Sequence, residues 1–174
     1  MVRIHSSKFT NYQKAWVEKF KEEKEKIQEV FGDEAIEVEH IGSTSIPGLS
    51  AKPIIDIAVL VESIDDIDKI VSTLSSLEYR YEPGMSSAER IFFRKGNLVE
   101  YHLSVACPKH TFWSRQILFR DYLRNHPEFV RKYGELKREN LKATPEEDFE
   151  NLSFSETYNK GKSEFVKKVL KLAK

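Results

Sequence analysis

Cysteine is almost absent from this chain: Cys107 is the only one among 174 residues. No disulfide can therefore close within it and no multi-cysteine zinc site can be built, which fits a reducing compartment. Long apolar runs are missing too, since none approaches the roughly 20 residues that cross a bilayer as a helix. Met1-Val-Arg-Ile-His5 opens no signal peptide. Together these absences predict a cytoplasmic protein with no membrane association. Net charge is also lacking, with 28 basic and 28 acidic side chains, so there is no strong sign of nucleic-acid binding. The balance hides a polarity, because residues 108–174 carry 15 of the basic but 10 of the acidic groups. That excess suits a phosphate-bearing ligand, and it also suits ordinary solvated helix surfaces.

What is present is a globular balance, 40% hydrophobic and 32% charged, in a length that builds one core but not two. A single domain over residues 1–174 follows. From Asn11 to Phe31 apolar residues recur at helical spacing and Gly32 follows as a stop. Ile36–Ile41 alternates as a half-buried strand does, and Ile54–Val61 is a near-continuous apolar run that suits a central strand. Ser63 is placed to cap the next helix, with Asp66 in the capping-box position and Ile64, Ile67, Ile70, Val71, Leu74 and Leu77 as its buried stripe. Arg90–Arg94 and Leu98–Cys107 read as a hairpin around Lys95-Gly96-Asn97. Beyond Pro108 the pattern is helical: one helix around Trp113–Leu123, a second from Pro127, and a third from about Ser155, with the acidic stretch Thr144–Glu150 as a surface connection. Strands before helices give an α+β class, a small mixed or antiparallel sheet flanked by helices, with a helical C-terminal third.

The densest chemical signal lies between the first two strands. Gly42 and Ser43 follow a strand directly, and Thr44, Ser45 and Ser50 add hydroxyls, so the loop is able to cradle a phosphate or to serve as a tight turn stiffened by Pro47 and Pro53. It is not a P-loop, because the spacing to Lys-Ser/Thr is absent. Asp56, set in an apolar strand, needs a partner or a metal. Alternation puts Asp56 and Ala58 on one strand face, and Glu100, His102 and Ser104 on one face of another. Were those faces to coincide, Asp56, Glu100 and His102 would hold Mg²⁺ or Mn²⁺ beside a phosphate. The alternative has Asp56 cap the loop and Glu100 pair with a basic side chain. His40 is placed to touch a ligand or to brace the loop, and Lys52 to reach an anion or solvent. Cys107 reads as a small core residue rather than a nucleophile.

The run His40-Ile-Gly-Ser-Thr-Ser-Ile-Pro-Gly-Leu-Ser-Ala-Lys-Pro-Ile-Ile-Asp56 closely resembles the signature of the GrpB family. The likeness continues through Glu100–Val105, Phe119–Arg124, Pro127, Tyr133–Lys137 and Tyr158–Lys162, nearly the whole chain. It implies the nucleotidyltransferase fold of the polymerase-β superfamily, in which a Gly-Ser turn binds nucleotide phosphate and strand-borne carboxylates hold divalent metal. In some bacteria such a domain is fused to dephospho-CoA kinase, which hints at nucleotide- or CoA-like ligands. One departure stands out: where an active nucleotidyltransferase carries a second carboxylate two residues after the first, this chain has Ala58, leaving the two-metal site incomplete.

The resulting expectation is a nucleotidyltransferase-like protein acting on, or binding, a nucleotide or another phosphate-bearing small molecule. The phosphate-side residues would be His40, Gly42, Ser43, Thr44, Ser45, Lys52, Arg120, Lys137, Tyr158 and Lys162, with metal at Asp56, Glu100 and His102. The alternatives are a sensor that kept the pocket without turnover and an interaction module using the C-terminal helices.

Overall fold

The computed structural model describes residues 9–145, 148 and 155–174, so most of the expected acidic connection lies outside the described residues. Helix α1 (Ala15–Phe31) buries Trp16, Ile27 and Phe31 and ends where the Gly32 N–H bonds back to Gln28. Strand β1 (Glu37–Ile41) pairs antiparallel with β2 (Ile55–Leu60). Helix α2 (Ile67–Ser75) and the two-residue strand β3 (Arg80–Tyr81) follow. The hairpin of β4 (Ile91–Lys95) and β5 (Tyr101–Ala106) returns the chain to lie parallel beside β2. The result is a mixed five-stranded sheet in the order β1-β2-β5-β4-β3.

Period-two alternation sorts the strand residues between two cores. Ile55, Ile57 and Val59 of β2 join Leu103 and Val105 of β5 and Ile91 and Phe93 of β4 under α1 and α2. On the opposite face Ala58 and Ala106 pack against Phe112 at the start of α3 (Phe112–Asn125). A further cluster forms where Ile46 and Leu49 of the β1–β2 loop dock on Leu123, on Val130 and Tyr133 of α4 (Pro127–Ala143), and on Val169 of α6 (Lys162–Leu172). The C-terminal helices thus grip the Gly/Ser loop directly. On the α1 face, a partly buried ion pair from Lys95 to the buried Glu23, at 2.6 Å, ties β4 to α1.

Three local expectations change. The cap of α2 is Asp66, whose side chain accepts from the Lys69 N–H, while Ser63 hydrogen-bonds Asp65 in the preceding turn. Asp66 is already non-helical, so it satisfies the first orphan donors itself, and Ile67 is left 40% exposed. The hairpin's second strand starts at Tyr101, because Gly96–Glu100 is spent on the turn, where the Glu100 N–H bonds to Lys95 O. The last helix is broken in two: α5 (Glu156–Asn159), capped by Ser155, ends before Gly161 at φ +73°.

Candidate functional site

Gly42 leaves β1 at φ +68°, a conformation open mainly to glycine. A Cβ there would overlap the Asp56 carboxylate and come 2.9 Å from the Asp56 Cβ. Two requirements meet at this residue, left-handed backbone and room for Asp56. The following turn, Ser43–Ser45, is tied inward: Ser45 Oγ donates to Gly42 O at 2.6 Å and Thr44 Oγ1 to Ile54 O at 3.2 Å. Thr44 spends its proton on that carbonyl, so at its 2.9 Å contact with His40 Nε2 it accepts and the imidazole donates. His40 is buried and stacked on Phe20 at 4.8 Å; burial, with Arg124 and Arg120 nearby, pulls it down to about 4 against the pull of Asp56. Of its two sequence roles, His40 takes the bracing one.

Parallel pairing sets Asp56 opposite His102, and their side chains meet at 3.0 Å, Nδ1 to Oδ1. Both line each of two neighbouring chambers. The larger, about 350 Å³, is bounded by Gly42, Arg90, Phe92, Ser104, Phe112 and Arg115 as well as this pair. The other, about 240 Å³, is lined by Ser43, Thr44, Lys52, Lys137, Tyr158 and Lys162 together with Asp56 and His102.

Three lysines from three parts of the chain converge on that second chamber. Lys137, on α4, donates to Ser43 Oγ at 3.0 Å and Ser50 O at 2.7 Å, and lies over the rings of Tyr133 and Phe9. Lys162 lies 4.2 Å from the Tyr158 ring centre and donates to Asn159 Oδ1, while Lys52 lies 5.4 Å from the same ring. Asn140 of α4 holds the corner that carries Tyr158 and Lys162, donating to Tyr158 O and Lys160 O. None of the three forms an ion pair with a carboxylate among the described residues. Burial lowers all three: Lys137 to about 7, helped by Lys162; Lys162 to about 8, helped by Lys52; and Lys52 in the same direction. Asp56 opposes the shift in each case.

The remaining sequence candidates lie elsewhere. Glu100 does not face Asp56; its carboxylate is exposed and 4.0 Å from Lys19 of α1, because the residue belongs to the hairpin turn rather than to the strand. Arg120 is buried and consumed by Glu39, Asp121 and His40 O, so it ties α3 to β1 and does not line the cleft. Sequence reasoning missed Arg90, which donates to Ser104 Oγ at 2.8 Å between the Phe92 and Phe112 rings, and Arg94, whose Cα pairs with His102 and whose buried Nε has no hydrogen-bond partner among the described residues. The alternation that grouped Glu100, His102 and Ser104, extended to β4, would have found Arg94. A two-metal arrangement does not fit these donors. Ala58 offers none, Glu100 is turned away, and among the described residues no cluster of three His, Cys, Asp or Glu side chains could hold a metal ion.

Comparison with known proteins bears on the family and the fold. A family model described as GrpB protein matches residues 7–172. The UPF0157 protein YqkA of Bacillus subtilis is 37% identical over 90% of this chain and 44% of its own length. The glutamate-rich protein GrpB of Alkalihalophilus pseudofirmus is 30% identical over 89% and 88%. Among relatives, the chain thus spans under half of YqkA and 63% of a Pseudomonas aeruginosa UPF0157 protein. A crystal structure of GrpB from Enterococcus faecalis superposes with a TM-score of 0.80 at 35% identity, covering 95% of this chain and 96% of that one. A structure of Cid1 in complex with the UTP analog UMPNPP gives 0.54 at 9% identity over 86% of this chain and 47% of that one, a likeness of fold alone.

Proposed function

The chain belongs to the GrpB family and has a nucleotidyltransferase-like fold, and from that premise we propose that its cleft binds a nucleotide or another phosphate-bearing small molecule. One observation carries the reading: Lys52, Lys137 and Lys162 converge on one chamber in which Asp56 is the lone carboxylate among the described residues. Clustering three ammonium groups out of water is costly, and the lowered proton affinities of all three express that cost. A bound phosphate offsets it with charge-assisted hydrogen bonds. Ser43 Oγ adds a neutral donor at the chamber wall. A second reading, a ligand sensor without turnover, is favoured by Ala58 at the position where a second carboxylate would complete a metal site.

A thermal-shift screen of nucleotides and CoA-related compounds, each beside its dephosphorylated counterpart, tests the reading. A ligand at about a hundred times its Kd should add about 2.7 kcal/mol to stability, a shift of several degrees in a domain of this size. Phosphorylated compounds alone should produce it. Equal shifts from nucleosides, or none from any phosphate, would remove the anion site.

A further inference from the structure

Resting on that reading, we propose that the cleft takes a di- or triphosphate chain, held by lysine and arginine side chains without a divalent cation. The charge count selects the class. Among the described residues Asp56 is the only carboxylate lining either chamber. It is the attractive charge that acts on Lys52, Lys137, Lys162 and Arg90 alike. None of these four cations is ion-paired among the described residues. A phosphate monoester brings about −1.5 to −2 at neutral pH, which leaves part of this positive field uncompensated. A longer phosphate chain supplies the rest.

Shape agrees with charge. Asp56 and His102 line both chambers, so the lysine side and the arginine side meet at that pair. The near partners of these cations are uncharged, so they leave the positive field for a ligand to meet. Tyr158, Tyr133 and Phe9 present ring faces to the lysines, Phe92 and Phe112 to Arg90, and the hydrogen-bond partners are hydroxyl, amide and carbonyl oxygens. A divalent cation finds the reverse. It would meet one carboxylate among four positive groups, with His102 Nδ1 already against Asp56 Oδ1 and Ser104 already accepting from Arg90.

Isothermal titration of the full chain in EDTA, with inorganic phosphate, pyrophosphate and tripolyphosphate in turn, tests the proposal. Pyrophosphate or tripolyphosphate should bind about tenfold or more tighter than phosphate, with no gain on replacing EDTA by Mg²⁺. Lys52→Gln should lose most of that preference, whereas Lys171→Gln, on an exposed turn of α6, should keep it. Equal affinity for phosphate and pyrophosphate would overturn the polyphosphate class, and binding only with Mg²⁺ would overturn metal-free recognition; the anion site of the preceding section survives both results. Failure of every phosphate compound to bind, with or without Mg²⁺, would sink the two readings together.

Discussion

Gly42 and Gly48 both adopt positive φ, yet they differ in what surrounds them. A Cβ at 42 meets the Asp56 side chain, and one at 48 meets nothing within 4 Å. Gly48→Ala should therefore cost about 1 kcal/mol for backbone strain alone, and Gly42→Ala about 1–3 kcal/mol more because Asp56 must move. Urea denaturation of the pair isolates the contact; equal costs would mean that Asp56 yields freely. The lysines make a second residue-scale prediction. Lys137 and Lys162 are bases held by burial at about 7 and about 8, below their usual 10.5. Between about pH 7 and 10.5 the unfolded chain keeps protons that the fold gives up, so these groups make the protein more stable as pH rises through that window. Phosphate binding runs the other way, because it recharges them: at pH 8 binding should take up protons, and affinity should fall from pH 7 to 9. Titrations in buffers of different ionisation enthalpy report the uptake, and a buffer-independent enthalpy at pH 8 would contradict it. Asp56 and Lys137, which line the candidate chamber, were legible because a charge in an apolar strand and a basic residue in a family-like segment are visible one at a time. Arg120 and Glu100 misled for the same reason: their partners, Glu39 and Lys19, are 81 residues away in sequence in both cases.

At the scale of elements, periodicity located the opening helix and the β1, β2, β4 and β5 strands to within a few residues, since each buries one regular face. It failed where capping and turn geometry decide the boundary. Ser63, Asp65 and Asp66 all precede α2, and Asp66 takes the cap because it stands one residue before Ile67, where its side chain accepts from the Lys69 N–H. Asp66→Ala should cost about 1 kcal/mol and Ser63→Ala less than about 0.5 kcal/mol in thermal or urea melts; the opposite order would restore Ser63 as the cap. The division between α5 and α6 was hidden likewise, because Tyr158 and Phe165 keep helical spacing across it while Gly161 turns left-handed. That turn is what carries Lys162 over the Tyr158 ring and into the chamber.

For the molecule as a whole, the uneven charge of the sequence becomes an uneven site. The C-terminal helices supply Lys137 and Lys162, the N-terminal half supplies Asp56 and the Gly/Ser loop, and the cluster of Ile46 and Leu49 on α3, α4 and α6 holds the two together. Sequence alone assigned those segments to one family but not their convergence, which depends on how helices after residue 108 fold back over a loop more than 60 residues earlier. The most direct test of that convergence is an amide ¹H–¹⁵N NMR titration with pyrophosphate. The account predicts saturable shifts at Gly42–Ser45, Lys52, Asp56, His102 and Tyr158–Lys162; shifts confined to exposed lysines of α1 and α6, rising without saturation, would contradict it.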